Sequence, residues 1–263
     1  MIIDFHTHMF PDKLAERTIV KLSEAADIKN HTNGTLLGTL QKMKECGVSK
    51  SVVCNIATNE KQTGNVNKFA VEINKNPEII SFGSVHPDCD FVYFLDFLRD
   101  NGIKGIKLHP DYQQFFIDDK KMQKVYENIL KRDFVLIFHT GIDDGVEGPT
   151  HASPERIKNT LGTFRSEKVV FAHMGGFRMW DDVTEKLIGE DIYFDTSCTA
   201  GYMPPEKTEQ MIIAHGTDKI LFASDLPWTD PAEGIREIEQ MKHLNSEEKM
   251  DIFFRNAEKL LNI

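Results

Sequence analysis

Asp4-Phe5-His6-Thr7-His8 opens the chain with two imidazoles two residues apart. On an extended strand alternate residues share a face, so both rings can grip one ion. Alone the pair is a weak signal: the chain has 10 histidines, and about 0.4 His-x-His pairs arise by chance at that frequency. Two satisfied histidines at a strand end explain it equally well. Three further polar residues change the balance. His139 ends the apolar run that begins at Phe134, His173 ends the one that begins at Val169, and Asp225 ends Ile220-Leu-Phe-Ala-Ser-Asp225. Imidazoles with a carboxylate are the donors of a divalent metal, which polarises carbonyls and lowers the pKa of water.

These residues need elements that bring them together. Apolar runs rich in Val, Ile, Phe and Leu cover 2–8, 51–56, 79–85, 103–109, 134–139, 168–173, 191–196 and 220–225. Most are continuous rather than alternating, as in strands buried on both faces of a parallel sheet. Between them lie helical patterns at 12–27 with 35–46, then 66–75, 90–100, 118–131, 154–163, 178–188, 205–215, 231–242 and 246–262. Ser153 before Pro154 and Ser246 before Glu247 read as helix starts, and Gly47 and Gly102 as stops. Eight strands each followed by helix predict an α/β fold, a closed (β/α)8 TIM barrel forming a single domain over 1–263. An open doubly wound sheet is the runner-up, but no G-x-G-x-x-G follows any strand. In a barrel the C-terminal strand ends share one rim, so His6, His8, His139, His173 and Asp225 converge there. The long 140–153 loop is the connection that stands out.

The sequence resembles the amidohydrolase superfamily, and within it the group that includes aminocarboxymuconate-semialdehyde decarboxylase. The resemblance covers essentially the whole chain. It rests on Asp4-x-His6-x-His8, Gly105-Ile-Lys-Leu-His-Pro110, His139-Thr-Gly141, Ala172-His-Met-Gly-Gly176, Phe194-Asp-Thr-Ser197, Ala223-Ser-Asp-Leu-Pro-Trp228 and Asn256-Ala-Glu-Lys-Leu260, with a further likeness at His151-Ala-Ser-Pro154. The chain is shorter than typical decarboxylases of that group. The resemblance implies His6, His8, His139 and Asp225 as ligands of one divalent ion, zinc first, with manganese or iron also compatible. It implies His173 as an acid/base or substrate-orienting residue beside the ion. Asp225 then binds through one oxygen and takes a proton with the other.

Other residues carry competing readings. In some relatives a lysine on the fourth strand is carboxylated and bridges two metals; for Lys107 the reading preferred is an uncarboxylated lysine supporting the ligands from inside the barrel. His109 ends its strand and reaches either the cavity or nothing. His151 in the long loop, and Arg178 and Trp228 on rim loops, are candidates for substrate contact, Arg178 as a carboxylate clamp. His31, His215 and His243 read as solvated surface. Phe115 and Phe116 read as packing against the barrel. Cys46, Cys54, Cys89 and Cys198 form no C-x-x-C pair and read as reduced thiols without chemistry.

With 31 basic against 41 acidic residues the net charge is −10, which argues against nucleic acid or a polybasic membrane patch. The expected partner is a small-molecule substrate, and a homo-oligomer is compatible. The N-terminus reads as a strand rather than a signal peptide, pointing to the cytoplasm. The leading function is metal-dependent hydrolysis of an ester, lactone, amide or related carbonyl. The alternative is non-oxidative decarboxylation of an aromatic or unsaturated acid, and a non-catalytic binding barrel comes third.

Overall fold

Eight short strands run parallel in the order β1 to β8. They are Ile3–Thr7, Lys50–Cys54, Ile79–Gly83, Gly105–Leu108, Val135–Phe138, Val169–Phe171, Tyr193–Asp195 and Ile220–Leu221. The last meets the first: Phe5 N–H donates to Phe222 O at 2.8 Å, Asp225 N–H donates to His6 O at 2.8 Å, and Thr7 bridges Leu226. The expected (β/α)8 barrel is therefore the fold, in a computed structural model that describes residues 1–164 and 167–263.

The helices are α1 Asp12–Ala26, α2 Leu36–Cys46, α3 Thr63–Ile73, α4 Phe91–Asp100, α5 Pro110–Gln113, α6 Lys120–Leu130, α7 Pro154–Thr160, α8 Trp180–Lys186, α9 Pro205–His215, α10 Pro231–Gln240, α11 Ser246–Met250 and α12 Asn256–Leu261. Each of the eight predicted strands is present, as is a helix for each predicted helical pattern. Four details differ. The cap of α11 is Asn245, which closes a reciprocal capping box with Glu248, while Ser246 is already helical. The final helix is interrupted by a π-helical stretch at Asp251–Arg255. The third predicted helix starts three residues early, at Thr63. The one-turn α5, capped by the His109 ring, was missed, being too short to show a period. Gly47 and Gly102 adopt the left-handed backbone expected of stops, and Ser153 caps α7.

The apolar residues sort into two layers. Ile3, Phe5, Val52, Phe82, Ile137, Val170 and Leu221 form an inner cluster onto which α12 packs Ala257, Leu260 and Leu261. Leu108, Leu136, Phe138, Phe171 and Phe222 belong to the outer cluster beneath the helices. Burial on both faces explains the unbroken apolar runs. One predicted surface residue belongs inside. His215 is 7% exposed, stacks on Phe194 at 4.2 Å, accepts from Gly189 N–H and holds the carbonyl of Ile192. It ties the end of α9 to the approach of β7. Among the described residues, no helix is long and apolar enough to cross a membrane.

Candidate active site

The rim residues are aimed by irregular backbone at the strand ends. The register of β1 on β2 shifts between Asp4 and Thr7, a bulge of the kind that re-aims side chains beside sites. Asp4 fixes that segment to the end of β8. It accepts from Ser224 N–H at 2.9 Å, from Ser224 Oγ at 2.5 Å and from His6 N–H at 3.3 Å. Burial raises the Asp4 pKa to about 7 despite these donors. His173, Cys198 and Asp225 all have left-handed backbone, with φ of 58°, 56° and 73°. Each such non-glycine residue costs on the order of 1–3 kcal/mol and persists where its surroundings hold it.

His6, His8 and Asp225 bring ligand atoms within 4.8 Å of one another. Nε2 of His8 is 3.2 Å and Nε2 of His6 3.4 Å from Oδ1 of Asp225. A tetrahedral ion with bonds of ~2.0–2.1 Å places its ligand atoms ~3.3 Å apart. The tautomers fit the same purpose. Nδ1 of His8 lies 2.8 Å from the carbonyl oxygen of Cys54, which only accepts, so Nδ1 carries the proton. Nδ1 of His6 lies 2.9 Å from Oδ2 of Asp195. Burial would raise Asp195, but the charge and hydrogen bond of His6 overcome it and hold its pKa at about 2. With the proton on Nδ1, the Nε2 atoms of both rings turn toward Asp225. Burial opposes ionisation of Asp225 too, yet His6 and His8 keep it well below the usual carboxylate range. Its Oδ1 is buried with no hydrogen-bond donor. Lone pairs converging on an ionised, donor-less oxygen are the chemistry of a cation site, so these residues fit a divalent ion.

His139 lies beside this cluster rather than within it. Its ring stacks on His109 at 4.1 Å, and the two group with Asp143 from the long loop. Nδ1 of His139 is 3.1 Å from Nε2 of His173, whose Nδ1 is 2.8 Å from Ser197 Oγ and 3.3 Å from Ser197 O. Nε2 of His139 is buried without a hydrogen-bond partner, 4.0 Å from Oδ2 of Asp143. Burial lowers the pKa of His6 to about 4 and lowers those of His139 and His173, so all three rings are neutral at pH 7. Lys107, fully buried, reaches to 3.1 Å from His6 Nε2, and burial lowers its pKa. Its amine thus lies against the cluster from inside the barrel.

Above these residues opens a cavity of about 870 Å³. His8, Lys107, His109, His139, His173 and Asp225 line its floor, and Trp228 its wall. Two sequence candidates lie elsewhere. His151 does not line the cavity; its Nδ1 is 2.7 Å from Asp111 and its ring packs on Phe116. Arg178 pairs with Asp144 at 2.8 Å and half of its side chain faces solvent, so it is not a clamp within the cavity.

Sequence reasoning missed four participants. Asp4, Asp195 and Ser197 lay inside quoted motifs but were given no role. Cys198, read as a thiol without chemistry, lines the cavity with its Sγ 3.2 Å from Oδ2 of Asp225. A polar residue at the end of an apolar strand was the available signal for Asp195.

The amidohydrolase family model matches residues 3–263. The chain belongs to the amidohydrolase family. It is an enzyme of that superfamily, whose members bind a divalent metal, and its His and Asp clusters are candidate ligands for one. No curated protein matches the sequence. Among solved structures, 5-carboxyvanillate decarboxylase from Sphingomonas paucimobilis is similar at 14% identity and TM-score 0.73, over 100% of this chain and 99% of that one. A putative amidohydrolase from Staphylococcus aureus follows at 16% and 0.72, over 100% and 99%. 2,6-Dihydroxybenzoate decarboxylase from Rhizobium stands at 16% and 0.69, over 99% and 98%. At these identities the likeness carries the fold.

Proposed function

We propose that this amidohydrolase hydrolyses an ester, lactone, amide or related carbonyl of a small molecule, with His6, His8, Asp225 and His139 holding one divalent ion. The observation that carries the reading is the donor-less Oδ1 of Asp225 between two imidazole lone pairs. The buried, unpartnered Nε2 of His139 supports it as the fourth donor. Bound there, the ion supplies Lewis acidity toward a carbonyl and acidifies water.

The protein's own groups do the rest. Asp225 is kept ionised, with Oδ2 turned away from His6 and His8 toward Cys198, so that oxygen is available to take a proton from water. His173 lines the cavity as a neutral ring oriented by Ser197, placed to pass a proton to a leaving group or hold the substrate oxygen. Lys107 brings its amine to the floor as a hydrogen-bond donor, where negative charge develops on a carbonyl oxygen. The mostly apolar walls keep bulk water from those charges.

Decarboxylation is the second reading. It is favoured by the fold shared with two decarboxylases and by Lys107, which offers a hydrogen-bond donor to a substrate carboxylate. The test is metal analysis of wild-type, His6→Ala and His139→Ala protein, followed by a screen of esters, lactones, amides and hydroxybenzoates with product detection. Alcohol or amine release supports hydrolysis; carbon dioxide release supports the second reading. Unchanged metal content in both variants sinks the ligand assignment.

A further inference from the structure

Helix α1 is inserted in the connection between β1 and α2, and one of its faces forms a cavity wall. Leu14, Arg17, Thr18, Lys21 and Leu22 all line the cavity. Their spacing of three, four, seven and eight residues is one stripe of a helix. Lys61, from the turn between β2 and α3, lines the same cavity. Arg17, Lys21 and Lys61 make no ion pair or hydrogen bond with a described residue. Arg99, Arg132, Arg156, Arg178 and Arg255 are each paired with a carboxylate, and Arg236, outside the cavity, is the other described arginine without one. In a chain with 41 acidic residues, three cations that border one cavity without carboxylate partners are an attraction for an anion. The carboxylates of the floor, Asp225 and Asp143, carry the opposite sign. Met9, Phe10, Ile28 and Phe69 supply apolar lining between polar groups. The volume of about 870 Å³ lies near the upper end of the roughly 300–1,000 Å³ typical of ligand sites.

We propose that Arg17, Lys21 and Lys61 form a subsite for a second, distal anionic group, so that the substrate is an amphiphilic molecule. Its reacting carbonyl or carboxyl lies on the metal floor, its body is apolar, and its far end carries a carboxylate or phosphate. This rests on the active-site reading above but not on which of the two reactions is performed. The three side chains act by charge at the exposed end of the cavity, so the attraction weakens with added salt.

Two probe pairs test it. Octanedioate and octanoate differ by one distal carboxylate, as do mono-p-nitrophenyl octanedioate and p-nitrophenyl octanoate. Calorimetry on the metal-loaded protein is expected to show octanedioate binding about tenfold tighter than octanoate, the sum of three solvent-exposed charge interactions. In Arg17→Gln/Lys21→Gln/Lys61→Gln that ratio falls to about one, whereas Lys13→Gln, on the same helix but outside the cavity, keeps it. If the esters are turned over, the wild-type preference appears in KM. A wild-type ratio near one, a ratio indifferent to the triple variant, or an equal loss in Lys13→Gln overturns the subsite. Selective octanedioate binding without ester turnover sustains the subsite and counts against hydrolysis. Turnover of both esters without preference does the reverse.

Discussion

One carboxylate sets two site histidines: Oδ2 of Asp195 lies 2.9 Å from Nδ1 of His6, and its Oδ1 accepts the backbone N–H of His173 at 2.9 Å. The first contact fixes the tautomer that turns the His6 lone pair toward the ion, and the second holds His173 in its left-handed turn. Asp195→Asn removes the charge while keeping the shape. It is expected to weaken metal binding about 10- to 100-fold, measured by competition with a chromogenic chelator. Unaltered affinity would show that His6 is oriented by packing alone.

His173 sits beside the three-residue ligand cluster, touching His139 and Ser197. His173→Asn should retain most metal and lose about 10²- to 10⁴-fold in kcat, the usual cost of a positioned acid/base. Metal content and turnover measured on the same preparation decide it. A metal-free variant would make His173 a ligand.

Lys107 Nζ lies 3.1 Å from His6 Nε2, the atom proposed to face the ion, so an uncarboxylated lysine stands beside a single ion site. A carboxylated bridge between two ions would instead make it an anion. Titration of metal-free protein should saturate near one equivalent per chain, and Lys107→Met should still take up that ion while losing activity. Saturation near two equivalents with a bicarbonate requirement would move the enzyme to a binuclear scheme.

Away from the site, burial lowers the pKa of His215 from 6.5. The unfolded chain therefore binds the proton first. The stability contributed by the neutral ring is present above pH 6.5 and is lost as pH falls through the lower folded value. Urea midpoints should decline between pH 7.5 and 5, and less steeply in His215→Asn. Parallel profiles would assign the decline to other histidines.

The strand order and the rim were legible because a strand buried on both faces leaves an unbroken apolar run, and a polar residue at its end is conspicuous. His6, His8, His139, His173 and Asp225 share that signature, and all come to the same end of the barrel. What was hidden depends on partners distant in sequence. Asp4 and Asp195 look like any strand polar residue until Ser224 and His6 stand opposite them. Arg17 and Lys21 sit on a helix face of mixed polarity, and such a stripe reads as solvated whether it borders water or a cavity. Left-handed backbone at His173, Cys198 and Asp225 leaves only a faint trace in residue type, since histidine and aspartate tolerate it better than most but none of the three is glycine. His215 ends a helix in a polar stretch, and its ring was hidden by Phe194, 21 positions away.

Helix α1 hangs from the connection between β1 and α2, while the proposed ligands sit at the strand ends, so the cavity wall and the chemistry belong to different parts of the chain. Charge reversals at the exposed Arg17 or Lys21 leave the strand-end residues untouched, whereas Met9, Ala15 and Ile19 are buried and His31 N–H donates to Pro227 O, beside Asp225. Selectivity for new substrates is therefore open to change on the exposed, cavity-lining face of one helix, with its buried face kept.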